Sequence, residues 1–462
     1  TPRSLALDIL LRVEKNESAN AVLDQLLAAS NFDTRDRGLV TELVDGTLRW
    51  QGRLDYELSQ FLDKSLDKLE PPIRIILRLG AYQLTRLERI PPHAAVNESV
   101  ALAREYGHEG TAKLVNAVLR RLQREYSTIS YPDPDKDPIA YLSIVYSHPE
   151  WLVARWLPRF GFAETEALLK INNTPPPLTI RVNRRWITRE GLHMFLEMHG
   201  VNTEPTSISP WGLTVTSGGN PRELDEYHEG LFSIQGEGSM VMVELLRPGR
   251  NRDGWDLAAG VGGKTTYLAE WVDDSGSLLA TDTSEDRLQV LQREANRLEL
   301  HSITVEHGDA TAFPVTPGSK DYALLDAPCS GTGSLRRQAD ARWKKTPGQI
   351  TELTALQTEL IEAAARAIRD GGILLYCTCS LEPEEDEEIV TAFLARHPEW
   401  SLEIAGSKHR SLPDNARDSA GYVHLFPQLH GTDGFFAARL VKKLDSDQNE
   451  ALVDESSPDD IS

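Results

Sequence analysis

The sequence predicts an α/β protein in which a parallel sheet, covered by helices on both faces, follows an all-α N-terminal domain. Three observations carry this prediction. Residues 1 to about 127 show helical periodicity alone. Beyond about residue 250, strand-like and helix-like segments alternate. A glycine-rich turn joins the first strand of that alternating region to its first helix.

Taken in order, Leu5, Ile9 and Val13 repeat at helical spacing, as do Val40, Val44 and Leu48, then Ile73, Leu77 and Ala81. Pro71-Pro72 and Pro91-Pro92 each precede a new periodic run, as expected where proline opens a helix. Gly107 and Gly110 interrupt the pattern before a last helix, TAKLVNAVLRRLQRE, which closes an all-α domain over residues 1–130. YPDPDKDP, at 131–138, reads as a linker with little to bury. Residues 139–240 read as a small α/β segment, with WLVARWLPRFG as a helix and LTIRVN and GLTVTS as short strands.

Over 241–443 the strands WDLAA, SLLATD, SITVEH, YALLDAP, ILLYCTCS and FFAARL alternate with helical KTTYLAEW and EDRLQVLQREANRLEL, the latter capped by Ser284. A long helix over roughly 347–369 is expected to stop at Gly371-Gly372 through a left-handed cap. Such an arrangement predicts a parallel sheet whose ligands bind beyond the carboxyl ends of its strands. No Lys or Arg follows Lys443, and residues 444–462 read as an acidic disordered tail.

Composition narrows the function. The 462 residues are 40% apolar and 26% charged, ordinary for two or three globular domains. No stretch approaches the roughly 18 apolar residues of a membrane span, and TPRSLALDILLRVEK does not read as a signal peptide. Three cysteines, Cys329, Cys377 and Cys379, form too sparse a set for a disulfide framework. A cytoplasmic location and no membrane partner are expected. With no CxxC or HxxxH, no metal is expected either. The net charge of -21 argues superficially against a nucleic-acid partner. Basic clusters nevertheless stand at Arg120, Arg121 and Arg124, at Arg181, Arg184 and Arg185, and at Arg336, Arg337, Arg342, Lys344 and Lys345.

Three motifs carry chemistry. The turn Ala258-Ala259-Gly260-Val261-Gly262-Gly263-Lys264-Thr265 suits a backbone brought up against a ligand. It matches the second half of a phosphate-binding loop, but Ala258 occupies the place of the first glycine, so a nucleotide hydrolase remains only an alternative. As a Rossmann-type turn it expects an acid near 20 residues on, and Asp282 lies 19 positions after Gly263. The second motif, Asp326-Ala327-Pro328-Cys329-Ser330-Gly331-Thr332-Gly333, ends a buried strand with an acid and a thiol among polar neighbours that would make a poor core. In the third, Tyr376-Cys377-Thr378-Cys379-Ser380, period two puts both cysteines on one face. Cys377 is assigned to the core, and Cys379 to the strand's carboxyl end.

An acid and two thiols at the mouth of a sheet suit one demanding reaction. Cytosine C5 is too weak a nucleophile to take a methyl group from a sulfonium unaided. A thiolate added at C6 makes C5 enamine-like, with a proton or hydrogen bond at N3, and a base must then remove the C5 proton. A free thiol of pKa about 8.5 is mostly protonated at neutral pH, so the site should supply positive potential, for which Lys264 and the bound sulfonium are candidates. The base would have to be unstacked or single-stranded.

The chain resembles the Sun/Fmu (Nol-type) RNA cytosine-5 methyltransferases, and within them the bacterial branch of 16S ribosomal RNA methyltransferase B. LRLGAYQLTRLERIPPHAAVNESVALARE and KLVNAVLRRL look like that branch's NusB-like helical domain. SHPEWLVARW and NNTPPPLTIRVN look like the segment before its catalytic domain, and DAPCSGTG, TCS and DGFF like its catalytic motifs. The resemblance implies a Rossmann-like, S-adenosylmethionine-dependent methyltransferase domain behind a NusB-like RNA-binding domain. It implies Cys379 as nucleophile, Cys329 as the thiol that assists product release, and Asp326 on the cytosine N3 side and near the cofactor. The cofactor's methionine part would be wrapped by Ala258, Ala259, Gly260, Val261, Gly262, Gly263 and Lys264, its ribose held by Asp282 and its adenine by Asp309. RNA, in particular 16S ribosomal RNA, is the implied partner of a monomeric enzyme. DNA cytosine methyltransferases use the other cysteine, so Cys329 is the alternative nucleophile, and a non-catalytic RNA-binding assembly factor is the alternative function. Two departures from the family stand out. Gly260-Val261 replace Ala-Pro, which frees a φ angle at a cost that falls on cofactor affinity, and Gly236 replaces the common Asp after Gln235.

Overall fold

The computed structural model describes residues 1–404 and 411–444. The proposed acidic tail, from residue 445 on, lies outside the described residues. The chain forms two compact units, 1–175 with 335–345, and 176–334 with 346 onward.

The first unit is all helix: α1 (Pro2–Val13), α2 (Ala19–Ala28), α3 (Thr34–Ser59), α4 (Pro71–Arg86), α5 (Pro92–Glu105), α6 (Glu109–Glu125), α7 (Pro138–Val145) and α8 (Glu150–Asn172). Local signals set their starts. Pro71 and Pro92 open α4 and α5, Asp33 caps α3 by accepting from Asp36 N–H at 2.8 Å, and His108 with Thr111 forms a capping box at α6. The periodic residues Ile9, Val44, Leu77 and Leu119 meet in one core.

The 131–138 segment does not part the units as its composition suggested. Gly52 N–H reaches Ser147 Oγ at 3.0 Å and Arg53 Nη1 reaches the Val145 carbonyl at 3.0 Å, tying the chain after the linker to α3. The boundary falls after Pro175. Residues 335–345 join this unit because Arg342, fully buried, donates to the carbonyls of Ser147 (3.1 Å) and Asn172 (2.9 Å), while Trp343 Nε1 donates to Leu48 O at 2.9 Å.

The second unit holds two sheets. The smaller is antiparallel, in the order β2 (Asn202–Pro205), β3 (Gly212–Ser217), β1 (Leu178–Val182), β4 (Phe232–Ile234). Helix α9 (Arg189–Met198) packs on it through Leu192 and Leu196 against Ile180, Val182 and Phe232.

The larger sheet runs β7 (Ile303–His307), β6 (Ser277–Asp282), β5 (Asp253–Asp256), β8 (Lys320–Asp326), β9 (Ile368–Thr378), β12 (Phe435–Lys442), β10 (Trp400–Glu403), with β11 (Val423–Leu425) beside β12. The strands from β5 to β9 are mutually parallel, as alternation with helices requires. FFAARL, in β12, runs antiparallel to β9 instead. The short connection over 426–434 also makes it antiparallel to β11. Helices α10 (Glu237–Leu246), α11 (Gly263–Trp271) and α12 (Glu285–Arg297) cover one face, and α13 (Pro347–Ala367) and α14 (Glu387–Arg396) the other.

Helix α13 ends at Ala367 and passes straight into β9, so Gly371-Gly372 do not cap it. Gly371 (φ 73°) lies inside the strand at a register shift, where Lys320 pairs Ile368 but Tyr322 pairs Ile373. Because β5 has β6 on one side and β8 on the other, the strand order reverses there, and the crevice opens at the carboxyl ends of those strands. Among the described residues no helix is long and apolar enough to cross a membrane.

Candidate active site

The glycine turn is packed on one side and open on the other. Gly260 (φ 56°) donates its N–H to Asp282 Oδ2 at 2.9 Å, and Asp282 Oδ1 accepts from Ser284 N–H at 2.8 Å. A Cβ at Gly262 (φ 87°) would lie 2.6 Å from Leu291 Cγ, whereas a Cβ at Gly260 would meet nothing within 4 Å. Ala259 N–H pairs with the Thr281 carbonyl at 2.9 Å, which fixes Ala258 and Ala259 to the end of β6. Val261 is 54% exposed. Asp309 lies just beyond β7, exposed, its Oδ1 accepting from Thr311 N–H at 2.9 Å and Thr311 Oγ1 at 2.8 Å. Gly308 N–H bonds the Asp282 carbonyl at 3.1 Å, so the two aspartates stand on adjoining strand ends.

Two groups beneath this turn have roles that the sequence did not reveal: Arg181, read there only as one of a basic cluster, and Asp256. Arg181, buried, donates to the Gly263 carbonyl at 2.9 Å and to Glu270 Oε1 at 2.6 Å, and also bonds Gln235 Oε1. It braces the turn and is no part of an RNA-facing cluster. Asp256 ends β5 fully buried. Its Oδ2 accepts from Thr265 Oγ1 at 2.7 Å, while Oδ1 has no hydrogen-bond partner among the described residues. Burial, with a smaller contribution from Asp326, pushes its carboxyl up to about 7, against the lowering effect of Thr265. An acid closing a buried strand is the signal that marked Asp282 and Asp326, and it marks Asp256 equally.

The acid and thiols converge at the ends of β8 and β9. Asp326 pairs Cys377 in register. Asp326 Oδ2 accepts from Lys264 Nζ at 2.6 Å, and Cys377 Sγ lies 3.7 Å from Oδ1. Cys377 is fully buried, and burial followed by the Asp326 charge drives its thiol well up, consistent with a core role. Cys379 and Cys329 are partly exposed, with their sulfurs 3.4 Å apart. They differ in the direction in which their surroundings push the thiol. The hydrogen bond between them, then burial, drives Cys329 well up, whereas that bond, with Lys264 and Ser334, holds Cys379 down against burial. Either sulfur can donate in this contact, and the surrounding charges favour the proton on Cys329.

Lys264 itself is raised: burial would lower it, but Asp326 and the neighbouring thiols outweigh that. Its ammonium also lies 5.1 Å from the Phe435 ring centroid. Engaged with Asp326, this lysine is unlike the phosphate-facing lysine of a nucleotide hydrolase. The motifs interlock through backbone. Gly333 N–H donates to the Cys379 carbonyl at 2.9 Å and Gly434 N–H to the Gly333 carbonyl at 2.8 Å, and a Cβ on Gly333 would lie 2.6 Å from the Gly434 oxygen.

Elsewhere, Gly236 is the N-cap of α10 and gives it no side-chain cap. Its neighbour Glu237 turns inward to accept from Ser209 N–H at 2.9 Å. Of the basic clusters, Arg120, Arg121 and Arg124 are exposed on α6, while Arg184 stacks on Trp211 and Trp271 and Arg342 is a buried anchor. Among the described residues no group of three or more His, Cys, Asp or Glu is placed to hold a metal ion.

A Rossmann-like sheet with a glycine turn, strand-end acids and a paired thiol site defines a methyltransferase. The match to the 16S rRNA methyltransferase RsmB/F family spans residues 243–441, preceded by matches to the NusB family over 1–124 and to the RsmF/B-like ferredoxin-like domain over 148–221. Ribosomal RNA small subunit methyltransferase B of Yersinia pestis is 33% identical, covering 96% of this chain and 98% of that protein. The probable ribosomal RNA small subunit methyltransferase B of Bacillus subtilis is 34% identical, covering 96% and 98%. The crystal structure of PH0851 superposes with a TM-score of 0.80 at 26% identity, covering 96% of this chain and 99% of that one. The chain belongs to the family of ribosomal RNA small subunit methyltransferase B, enzymes that methylate ribosomal RNA with S-adenosylmethionine.

The residues present fit that cofactor. The turn is open at Gly260, and the unpartnered oxygen of Asp256 beneath it suits a ligand that carries an ammonium and a sulfonium.

Proposed function

We propose that the protein methylates C5 of a cytosine in 16S ribosomal RNA through a transient bond between Cys379 and C6. The cofactor would lie on the turn from Ala258 to Lys264, with Asp282 at its ribose, Asp309 at its adenine and Asp326 nearby. When bound, S-adenosylmethionine supplies an electrophilic methyl group.

The protein's own residues do the rest. Cys379, the thiolate of the pair, forms the S–C6 bond. Asp326 faces N3 and holds the proton or hydrogen bond that lets the ring accept the added electron pair, which makes C5 nucleophilic. Lys264 keeps positive potential over both the acid and the thiolate. Once C5 carries the methyl group, its proton leaves to a base, the S–C6 electrons return to sulfur, and Cys329 assists the release.

One observation carries this reading: two thiols 3.4 Å apart, of opposite protonation tendency, beside a lysine–aspartate pair. The test is nucleoside analysis of 16S ribosomal RNA after incubation with enzyme and isotopically labelled S-adenosylmethionine. The label is expected in 5-methylcytidine. Label on a ribose oxygen, an exocyclic amine or another base would overturn the reading.

A further inference from the structure

We infer that Glu385 is a positioning residue that clamps the two thiol-bearing loops to each other, an inference that rests on the two-thiol reading above. Each cysteine is followed by a serine, Cys329 by Ser330 and Cys379 by Ser380. The loops come from different strands, so nothing covalent fixes the distance between their sulfurs. Both serines end on one carboxylate. Glu385 is fully buried. Its Oε1 accepts from Ser330 N–H at 2.7 Å, and its Oε2 accepts from Ser380 Oγ at 2.5 Å and from Ser330 Oγ. Gln357, on α13, donates to Oε1 at 3.2 Å and to the Pro328 carbonyl at 2.9 Å, closing the clamp on the residue before Cys329.

A buried carboxylate is expensive unless its lone pairs are filled, and here they are filled by the residues adjoining the two reactive thiols. The carboxylate is therefore tied to loop geometry, because moving either loop strands a buried charge. It is also among the groups that raise the Cys329 thiol. Glu385 accordingly sets the separation of the thiols and bears on the protonation of Cys329. The glycine turn, Asp282 and Asp309 belong to other strand ends, so the clamp's main hold is on the thiols and not on the cofactor.

The experiment compares Glu385→Gln and Glu385→Ala with the parent enzyme, using full-length protein, 16S ribosomal RNA and labelled S-adenosylmethionine, and reads kcat, KM for the cofactor, the pH profile and the covalent adduct. Failure of the parent to make 5-methylcytidine would be a failure of the underlying reading, and is scored before any variant. With an active parent, Glu385→Ala is expected to lose roughly a hundredfold in kcat, as misplacement of reacting groups does, with KM for the cofactor unchanged. Glu385→Gln, which keeps part of the hydrogen bonding, should recover part of that loss and broaden the pH profile, because both thiols then compete to ionise. Ser330→Ala and Ser380→Ala should each cost less, and neither should add fully to Glu385→Ala. An unchanged kcat, or a fall in cofactor affinity equal to the fall in kcat, would overturn the proposal.

Discussion

The loops that end β8 and β9 carry the same two-residue pattern, Cys-Ser, yet the structure gives their thiols opposite characters. Cys329 follows a proline and faces Glu385, Asp326 and the other sulfur, all negative or capable of being so. Cys379 shares that neighbourhood but also has Lys264 and Ser334. Burial penalises both, so the difference comes first from the contact between the two sulfurs and then from Lys264 and Ser334 on the Cys379 side. Two identical Cys-Ser pairs at a sheet edge are thus told apart by the residues around them.

Breaking the comparison at its charged member should have the largest effect. Cys379→Ala is expected to lower kcat by roughly four orders of magnitude or more, as removal of a covalent nucleophile does in other enzymes, in a single-turnover assay of methyl transfer. Asp326→Asn keeps the shape and removes the acid. A loss of about a hundred- to ten-thousandfold in kcat is expected, the range of general acid–base groups.

Lys264→Met removes the cation that separates the two thiols. Without it the Cys379 thiolate is disfavoured, so the rising limb of kcat/KM against pH should move to higher pH, with activity falling at neutral pH and recovering in alkali. A limb that does not move would mean that the inter-thiol hydrogen bond alone sets the asymmetry.

Asp256 offers the contrasting case of a strand-end acid on which burial outweighs the nearby Lys264. Its carboxyl is raised to about 7 in the folded protein, above its ordinary value. The stability this contributes is therefore present below about pH 4 and lost as pH rises through 7. Asp256→Asn should flatten that slope, a change on the order of a few kcal/mol in denaturant titrations between pH 4 and 7. The smallest effect is expected at Gly260→Ala, where a Cβ meets no atom but must adopt φ near 56°. The cost of about 1–2 kcal/mol should weaken cofactor binding in calorimetry and leave kcat at saturation unchanged.

Much of this site was legible because its chemistry sits at strand ends. Glycine turns and acids after apolar runs are local signals, and they located Gly260 to Lys264, Asp282 and Asp326. Period two put Cys377 and Cys379 on one face, and depth along the strand separated them. Other features depend on distant partners and leave no local trace. Glu385 lies in the run EPEEDEE, which reads as a solvated helix start until folding buries it against Ser330 and Ser380. Arg181 sits in a basic cluster that suggests RNA, yet Glu270 draws it inward. Gly371 and Gly372 look like a helix cap because composition does not distinguish a cap from a bulge within a strand. The antiparallel course of β12 is likewise not announced by its own residues.

The central claim is that Cys379 attacks and Cys329 assists release. Its most direct test is denaturing electrophoresis of Cys329→Ala and of Cys379→Ala after incubation with 16S ribosomal RNA and S-adenosylmethionine. The account predicts an RNA–protein adduct that accumulates for Cys329→Ala and none for Cys379→Ala. An adduct retained in Cys379→Ala, with none in Cys329→Ala, would contradict it and exchange the two roles.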